Sequence, residues 1–396
     1  MTIQFFQQTI TKIISIIAAF IIAVGIVNIP PAVNYEAPQR RIPEKEIIKE
    51  ITPSPTPTPT PKNEIKKPTP KPTPSPTTTP TVQPPENPTP TPLAPPQAGP
   101  AISLIELNKN ARSTIINIIC TTKSGGAFRP ISGSGVIIGE NGIILTTAHL
   151  AQYFLLEETP EAGYLDCVIR KGDVAGPAYD AKLLYIPPNW IEKNAESIIQ
   201  DEAKGTGEDD YAFLFINKSV VLEKELPTSP AGGPAIFTFA DPDFDLENLP
   251  AELSVLLAAY PAGFIGGISI QKDLGLTSTF ATIKNLYTFS ELKGENLDIF
   301  SLSGNIVAQS GSSGGGVFDT RNEKLIGVIV TSTTGTTTAS RELNAITLTH
   351  IKRSFEKYTD QNLSSFLTNP SSYPNIFPES EFNRLKNLLI ERLKKI

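Results

Sequence analysis

Residues 133–149 decide the fold, and they read Gly133-Ser134-Gly135-Val136-Ile137-Ile138-Gly139-Glu140-Asn141-Gly142-Ile143-Ile144-Leu145-Thr146-Thr147-Ala148-His149. Residues 133–139 are rich in β-branched side chains and predict a strand. Asn141-Gly142 is the dipeptide typical of a two-residue hairpin turn, and residues 143–146 return as the next strand. His149 follows that strand. The stretch therefore predicts antiparallel β-structure that presents a histidine at a strand end.

Two groups of short strands surround this hairpin. No helix of ten to fifteen residues is predicted between the strands, so a parallel βαβ sheet is not expected. The first group ends near residue 216 and the second follows a Pro- and Asp-rich connection at about residues 227–250. We therefore predict a mainly β fold of two antiparallel barrels, with a site between them. The other predicted strands are 113–120, 163–170, 181–186, 211–216, 253–259, 277–286, 299–307, 315–319, 325–331 and 343–347, with a turn at 320–323.

The C-terminal residues predict helices. Residues 350–358 form a helix-like stretch, and a stronger helix follows with acidic residues at its start and Lys394-Lys395 at its end, as the helix dipole favours. Its apolar face consists of Phe382, Leu385, Leu388, Leu389, Leu393 and Ile396 at helical spacing. A helix docked on the domain explains this face, and a membrane-surface or partner-binding helix is the alternative.

The N-terminal hundred residues have a different composition. Residues 13–29 carry no charge, and with residues 30–33 they reach the length that spans a bilayer. No cleavage signature follows, so an uncleaved anchor over residues 1–34 is favoured over a signal peptide. Residues 35–100, with prolines and threonines crowded mainly into 52–100, predict a disordered stalk. In polyproline II form, about 45 of these residues at about 3.1 Å each would span up to ~140 Å. The stalk is a spacer, with binding of its PxxP-like repeats by a partner as the alternative.

The predicted domains are thus an anchor (1–34), a linker (35–100), a two-barrel domain (101–358) and a helical extension (359–396).

The orientation of the anchor in the membrane is judged from the positive charges that flank it. Lys12 precedes the anchor, and four cations follow it: Arg40, Arg41, Lys45 and Lys49. Counting these cations alone would place the long part inside. Large domains override that bias, and a proline-rich stalk fits an external location. We expect a single-pass protein of the cell membrane with an extracytoplasmic domain.

Charge and cysteine usage exclude several classes of function. The net charge is -6 with no clustered basic stripe, so nucleic-acid binding is not expected. The two cysteines, Cys120 and Cys167, have neither the CxxC spacing nor the neighbouring histidine of a metal site. They form either one disulfide or two separate buried thiols. No metal and no organic cofactor is implied.

Three short motifs carry the chemistry. His149 is one of only two histidines, and an imidazole can take the proton of a serine hydroxyl during nucleophilic attack. Asp210 begins a predicted strand and can orient that imidazole, and the alternation Asp210, Ala212, Leu214 favours it over the adjacent Asp209. Ser313 lies on the glycine-rich turn 311–315. The N–H groups of Gly311 and Ser313 there can stabilise an oxyanion.

With these motifs, residues 102–350 resemble a trypsin-like serine protease of the chymotrypsin fold, closest to the bacterial HtrA/Deg-like branch. Residues 133–149 resemble the base motif of that branch, and residues 210–214 are similar to its acid motif. Tyr260-Pro261-Ala262-Gly263 resembles the Pro-Gly turn between acid and nucleophile. The resemblance implies a double β-barrel, endopeptidase activity and protein or peptide substrates.

Departures from the family pattern refine this expectation. Ser312 stands where the family has Asp or Asn, and Gly316 where Pro is common. Ser312 cannot pair with a freed N-terminal ammonium, so we do not expect activation by N-terminal cleavage. About 45 residues follow the second barrel, too few for a PDZ module. The specificity positions Val307, Thr331 and Ser332 are uncharged, which predicts a preference for small or apolar side chains.

Two other functions stay open on the sequence. A protease-like domain that has lost catalysis would act as a binding module on a stalk. An esterase could use the same residues. Residues 311–315 satisfy Gly-x-Ser-x-Gly literally, but the flanking sequence is strand-like on both sides rather than the strand-turn-helix of esterases.

Overall fold

The structure is a computed structural model, and the chain divides into two compact units, Met1–Pro90 and Thr91–Ile396. Every residue that the structure describes belongs to the second unit. The described residues are 103–122, 130–157, 159, 165–199, 206–221, 224–225, 237–246, 248–263, 267–290, 296–332, 341–369 and 372–394.

The predicted anchor (1–34) and the predicted stalk (35–100) lie outside the described residues. Within the described residues, no helix is both long enough and apolar enough to cross a bilayer.

Six antiparallel strands close the first barrel. Strand β3 pairs with β2 on one side and β6 on the other, which completes the ring β3-β2-β1-β4-β5-β6. All four residues of β3 are buried. The strands are β1 Ile115–Thr122, β2 Ile131–Ile137, β3 Ile143–Thr146, β4 Leu165–Lys171, β5 Gly176–Tyr185 and β6 Ala212–Ser219, and a short β7 Lys224–Glu225 extends the sheet beyond β6.

The next six strands close a second barrel in the order β10-β13-β12-β11-β8-β9. Its interior is a separate apolar cluster that includes Val255, Phe300 and Ile329. The strands are β8 Ser254–Ala259, β9 Thr277–Tyr287, β10 Ile299–Leu302, β11 Gly316–Asp319, β12 Leu325–Ser332 and β13 Leu343–Thr347. The predicted pair of antiparallel barrels is therefore confirmed.

Helices cap the ends of the barrels and form the C-terminal segment. Helix α2 leads into a 3-10 turn at Gln152–Leu156, and α3 leads into another at Ala195–Ile199. The helices are α1 Leu104–Thr114, α2 Ala148–Ala151, α3 Pro188–Asn194, α4 Gly267–Lys272, α5 Leu348–Thr359, α6 Leu363–Thr368, α7 Tyr373–Ile376 and α8 Glu379–Leu393.

The C-terminal helices pack on the first barrel although they follow the second. Phe355 of α5 lies edge-on to Tyr185 of β5 with ring centroids 4.9 Å apart, and Phe366 of α6 packs on Phe213 of β6 at 5.7 Å. Helix α8 buries Leu385 and Leu389 in the large apolar cluster that contains the core of the first barrel. The structure thus has the docked helix, and α5 links one barrel to the other. Ile396 lies outside the described residues.

The predicted two-residue turn at Asn141-Gly142 is wrong in its detail. The loop spans four residues, because the N–H of Gly142 donates to Gly139 O at 3.0 Å and Ile138 N pairs with Ile143 O at 2.9 Å. Gly142 has a φ of 84°. Asn141 lies at the centre of this turn with Glu140, and its Nδ2 donates to Leu367 O at 2.9 Å.

Helical structure was underestimated in several places, of which α1 and α3 are examples. Ser113 and Thr114, predicted to begin a strand, end helix α1, and their hydroxyls donate to the carbonyls of Asn110 and Ala111. Serine and threonine can close a helix in this way, which strand propensity does not reveal. Helix α3 and its 3-10 turn between β5 and β6 were not predicted.

The predicted strand 299–307 ends early, at Leu302. Asn305 turns the chain there, because its Nδ2 donates to Ser303 O at 2.7 Å and its Oδ1 accepts from Val307 N at 2.9 Å. Asparagine favours such side-chain-stabilised turns.

The two cysteines lie directly opposite each other on β1 and β4, and they form a disulfide, Cys120–Cys167, that closes a sequence separation of 47 residues. Of the two alternatives left open by the sequence, the structure has the disulfide.

Candidate active site

His149 lies just after β3, where the strand gives way to helix α2. The neighbours Ala148, Leu150 and Ala151 are buried, whereas the imidazole keeps 21% of its side-chain surface exposed. The carbonyl of His149 accepts a hydrogen bond from Gln152 Nε2 at 2.8 Å. The buried neighbours hold helix α2 in place, and His149 is the one residue of this helix whose side chain is partly exposed.

Asp210 holds His149 at two points. Its Oδ1 accepts from the backbone N–H of His149 at 2.9 Å, and its Oδ2 lies 2.8 Å from the ring Nδ1. Only 4% of the residue is exposed. A carboxylate accepts hydrogen bonds, so Nδ1 is the protonated nitrogen, and the Nε2 of the neutral ring then carries a lone pair.

Asp210 also sets the basicity of His149. Burial lowers the pKa of the imidazole, but the charge of Asp210 and its hydrogen bond outweigh burial, and the pKa lies above its ordinary value of 6.5. The ring is therefore a stronger base than a free histidine.

Ser313 lies on a loop shaped by two glycines with positive φ, Gly311 at 90° and Gly314 at 86°. A Cβ at Gly311 would lie 2.7 Å from Tyr260 O, and one at Gly314 would overlap Ser134 O. Ser312 turns inward and its hydroxyl donates to Val307 O at 2.5 Å. Ser313 is half-buried. The loop therefore needs glycine on both sides of the serine pair.

The loop is anchored to the first barrel by Ser134 of β2. The N–H of Ser134 donates to Ser313 O at 2.7 Å. Its buried hydroxyl donates to Gly311 O at 2.8 Å and accepts from Tyr260 N at 2.9 Å. Ser134 was not predicted as a site residue, because its partners lie more than a hundred residues away along the chain and a Gly-Ser-Gly tripeptide is common in loops.

The anchoring places the backbone of Ser313 near the turn that carries His149. A Cβ at Gly133 would lie 2.5 Å from Leu150, the residue after His149, and 3.3 Å from Ser313 O. Among the described residues, Ser313 Oγ makes no hydrogen bond, and His149 Nε2 has Thr147 Oγ1 at 3.5 Å. Catalytic hydrogen bonds are often long without substrate and tighten when it binds.

Two backbone N–H groups of the loop have no partner in the described part of the chain, those of Gly311 and Ser313, whereas Gly314 N is bonded to Ile329 O at 2.8 Å. Unpaired amides on a glycine loop beside a hydroxyl can stabilise a negative oxygen. The two residues predicted as the oxyanion site thus have the donors that such a site needs.

The predicted specificity residues lie in the second barrel. Val307 is fully buried in that barrel's apolar cluster. Thr331 and Ser332 end β12, where Thr331 Oγ1 accepts from Asn344 Nδ2 at 3.1 Å and Ser332 is exposed. Residues 333–340, which follow, lie outside the described residues. None of the three positions carries a charge.

The described residues contain no group of three or more His, Cys, Asp or Glu side chains placed to hold a metal ion. The cysteines are bonded to each other, so neither thiolate is available as a ligand.

Comparisons with known proteins add a family. Residues 133–328 match the family model of the trypsin-like peptidase domain. The active form of the Rv3671c protease from M. tuberculosis is 17% identical over 67% of this chain and 93% of its own, with a TM-score of 0.37. The structure of Deg5 is 16% identical over 63% of this chain and 90% of its own, with a TM-score of 0.39. No curated protein sequence matches significantly.

Proposed function

Since the chain carries a trypsin-like peptidase domain and is a serine protease, we propose that it is an endopeptidase in which His149, Asp210 and Ser313 form the catalytic triad. The observation that carries this assignment is the double contact of Asp210 with the backbone and ring of His149. That contact fixes both the position of the base and the nitrogen that takes the proton.

The reaction begins with attack of Ser313 Oγ on the peptide carbonyl. His149 Nε2 takes the hydroxyl proton, and Asp210 stabilises the imidazolium that forms. The N–H groups of Gly311 and Ser313 bind the oxyanion of the tetrahedral intermediate. His149 then gives its proton to the leaving amine and the C–N bond breaks. Water, deprotonated by His149, hydrolyses the acyl-enzyme and restores Ser313.

Substrate choice follows from the uncharged positions of the second barrel. Val307 is buried among apolar side chains, so it offers no counter-ion to a Lys or Arg side chain of the substrate. Thr331 and Ser332 are small and polar. We therefore propose cleavage after small or apolar residues.

Digestion of a peptide library tests both activity and specificity. The protein should cleave internal bonds after small or apolar residues, and Ser313→Ala should lower the rate on the order of 10⁶-fold. Ser312→Ala is the matched control, because Ser312 Oγ donates to Val307 O and should change activity far less. Failure to cleave any peptide would indicate the inactive binding module. Hydrolysis of short-chain esters alone would indicate the esterase, and dominant cleavage after Lys or Arg would reject the specificity.

We propose further that residues 1–34 anchor the protein in the cell membrane and that the protease domain lies outside the cytoplasm, on the stalk of residues 35–100. The uncharged residues 13–29 and the proline-rich sequence support this location. The Cys120–Cys167 disulfide supports it as well, since disulfides persist in oxidising compartments.

Fractionation of cells tests this location. The full chain should sediment with membranes, and removal of residues 1–34 should release it. Protease added from outside to intact cells should degrade the domain if it is external. A domain protected until the cells are lysed would contradict the proposed orientation.

A further inference from the structure

The second histidine of the chain, His350, lies buried between two carboxylates. Its Nδ1 is 2.9 Å from Asp298 Oδ1, and its Nε2 is 3.5 Å from Asp209 Oδ1 and has no closer partner among the described residues. His350 belongs to α5, Asp298 precedes β10 of the second barrel, and Asp209 precedes β6 of the first. One imidazole therefore joins three parts of the fold.

Each carboxylate has further donors. Asp298 Oδ2 accepts from Thr288 Oγ1 and from Phe289 N, both at 2.8 Å, and its Oδ1 is paired with the guanidinium of Arg353. The Phe289 ring packs edge-on to the imidazole, with ring centroids 5.0 Å apart. Arg353 is thus the cation that competes with His350 for Asp298.

The Asp209 carboxylate accepts hydrogen bonds from side chains of two helices. Its Oδ1 accepts from Ser354 Oγ of α5 at 2.6 Å, and its Oδ2 accepts from Asn189 Nδ2 of α3 at 2.6 Å. Ser354 Oγ in turn lies 3.1 Å from the hydroxyl of the buried Tyr211. The groups that face His350 are therefore two acids and one guanidinium, with a phenol one residue further away.

This arrangement favours the charged imidazole. A neutral ring donates from one nitrogen only, and its lone pair would face the second carboxylate. Burial lowers the pKa of His350, but its hydrogen bond with Asp298 and the charges of Asp298 and Asp209 outweigh burial and raise it above 6.5. Burial likewise acts to raise the pKa of Asp209, and the bonds from Ser354 and Asn189, together with the charge of His350, hold it below its ordinary value.

Asp209 is the residue next to the acid of the triad, and it has a φ of 56° in the left-handed region, which costs a non-glycine residue energy unless its surroundings hold it. The turn that contains Gly207 and Asp209 packs closely against the second barrel, because a Cβ at Gly207 would lie 2.9 Å from Val330 of β12. Asp210 N bonds back to Gly207 O at 3.2 Å. The side-chain contacts of Asp209 therefore fix the backbone from which the Asp210 carboxylate projects.

We propose that His350, in its charged form, is a positioning residue: it holds Asp209 and thereby sets the Asp210 carboxylate against His149. The proposal rests on the proposed triad. When His350 loses its proton as the pH rises, its charge attraction for the Asp209 carboxylate is lost, and the Ser354 hydroxyl is then the one contact from α5 that still holds Asp209. Activity is then limited at low pH by protonation of His149 and at high pH by deprotonation of His350.

The test is the pH dependence of kcat, KM and the rate of Ser313 labelling by a fluorophosphonate, from about pH 5 to pH 10. The wild-type rate should fall along an alkaline limb with a midpoint above 6.5. His350→Gln, which is uncharged, should remove that limb and lower kcat about 10- to 100-fold at pH 7, with KM nearly unchanged. Asp209→Asn should move the limb to lower pH, because one carboxylate that favours the charged ring is gone.

Lys352→Gln is the matched control. Lys352 lies on the same helix as His350, and the substitution breaks its ion pair with Asp245. It should leave kcat and both limbs of the pH profile unchanged. If His350→Gln fails to fold, the alkaline limb of the wild-type pH–rate profile and its shift in Asp209→Asn still test the proposal. A wild-type rate that stays level to pH 10, or an alkaline limb retained in a folded His350→Gln protein, overturns the proposal. A wild-type protein that the fluorophosphonate does not label at all instead overturns the proposed function.

Discussion

Among single residues, Ser134 makes two hydrogen bonds from the first barrel to the loop that carries Ser313. Its N–H and hydroxyl bond to Ser313 O and Gly311 O, and its carbonyl accepts from Thr146 Oγ1 at 2.7 Å. The hydroxyl also satisfies the buried N–H of Tyr260. The orientation of the Gly311 peptide, and with it the proposed oxyanion site, therefore depends on a side chain of the other barrel.

Ser134→Ala should lower both stability and turnover. The change leaves the Gly311 carbonyl and the Tyr260 N–H without a partner, which costs about 1–3 kcal/mol for a buried group. The Gly311 peptide is then free to turn, so kcat should fall on the order of 10-fold or more while KM changes little. Denaturant unfolding and steady-state kinetics measure the two effects.

Ser132→Ala is the control on the same strand. Ser132 Oγ accepts from Asn117 Nδ2 at 2.9 Å, and that amide also donates to Gly133 O at 2.6 Å, so the substitution leaves Asn117 partnered. Equal kcat values for the two variants would show that Ser134 does not position the oxyanion site.

The residues of the proposed triad could be predicted, whereas the residues that support them could not. A chain with two histidines leaves few candidates for a base, and strand-end motifs singled out His149, Asp210 and Ser313. The choice of Asp210 over Asp209 rested on strand alternation alone. In the structure both acids contact a histidine. The partner of Asp209 lies more than a hundred residues away on a helix, so no local pattern could identify it.

Among secondary structure elements, the strands were predictable because β-branched residues cluster in short runs with turn residues between them. Residues 143–146 and 343–347 were predicted with the bounds that the structure has. The strand ends near Thr114 and Asn305 were not predicted correctly. At these two positions a side-chain hydroxyl or amide donates to a backbone carbonyl and ends the helix or begins the turn. Such bonds depend on a few local angles rather than on composition.

The helix α5 is the element whose position matters most for the site. It begins at the end of β13, and its aromatic residue Phe355 packs on the first barrel. His350 and Ser354 lie one turn apart on this helix, as the spacing of four residues dictates. Both contact Asp209. The sequence predicted a helix here but not that its polar face would lie against the turn before β6.

In the whole molecule, the proposed site spans the two barrels. His149 and Asp210 belong to the first barrel, and Ser313 belongs to the second. Contacts that cross the junction include those of Ser134 with the Ser313 loop, of Gly207 with Val330, and of Arg170 with the carbonyls of Ile270 and Gln271. The sequence predicted two barrels with a site between them. The contacts that hold the barrels together involve buried polar groups that strand patterns do not reveal.

In the proposed triad, the reactivity of a serine in one barrel depends on a carboxylate in the other. Asp210→Asn keeps an oxygen that can accept from His149 N, so the local backbone should remain in place. Its amide would instead donate to Nδ1, which places the proton on Nε2 and leaves no lone pair facing Ser313.

The rate at which a fluorophosphonate labels Ser313 in the Asp210→Asn variant, compared with the wild type at pH 7, is the most direct measurement of this dependence. We expect the rate to fall on the order of 10⁴-fold, with the unfolding temperature close to that of the wild type. Labelling of a folded Asp210→Asn protein at the wild-type rate would contradict the assignment of His149 as a base oriented by Asp210.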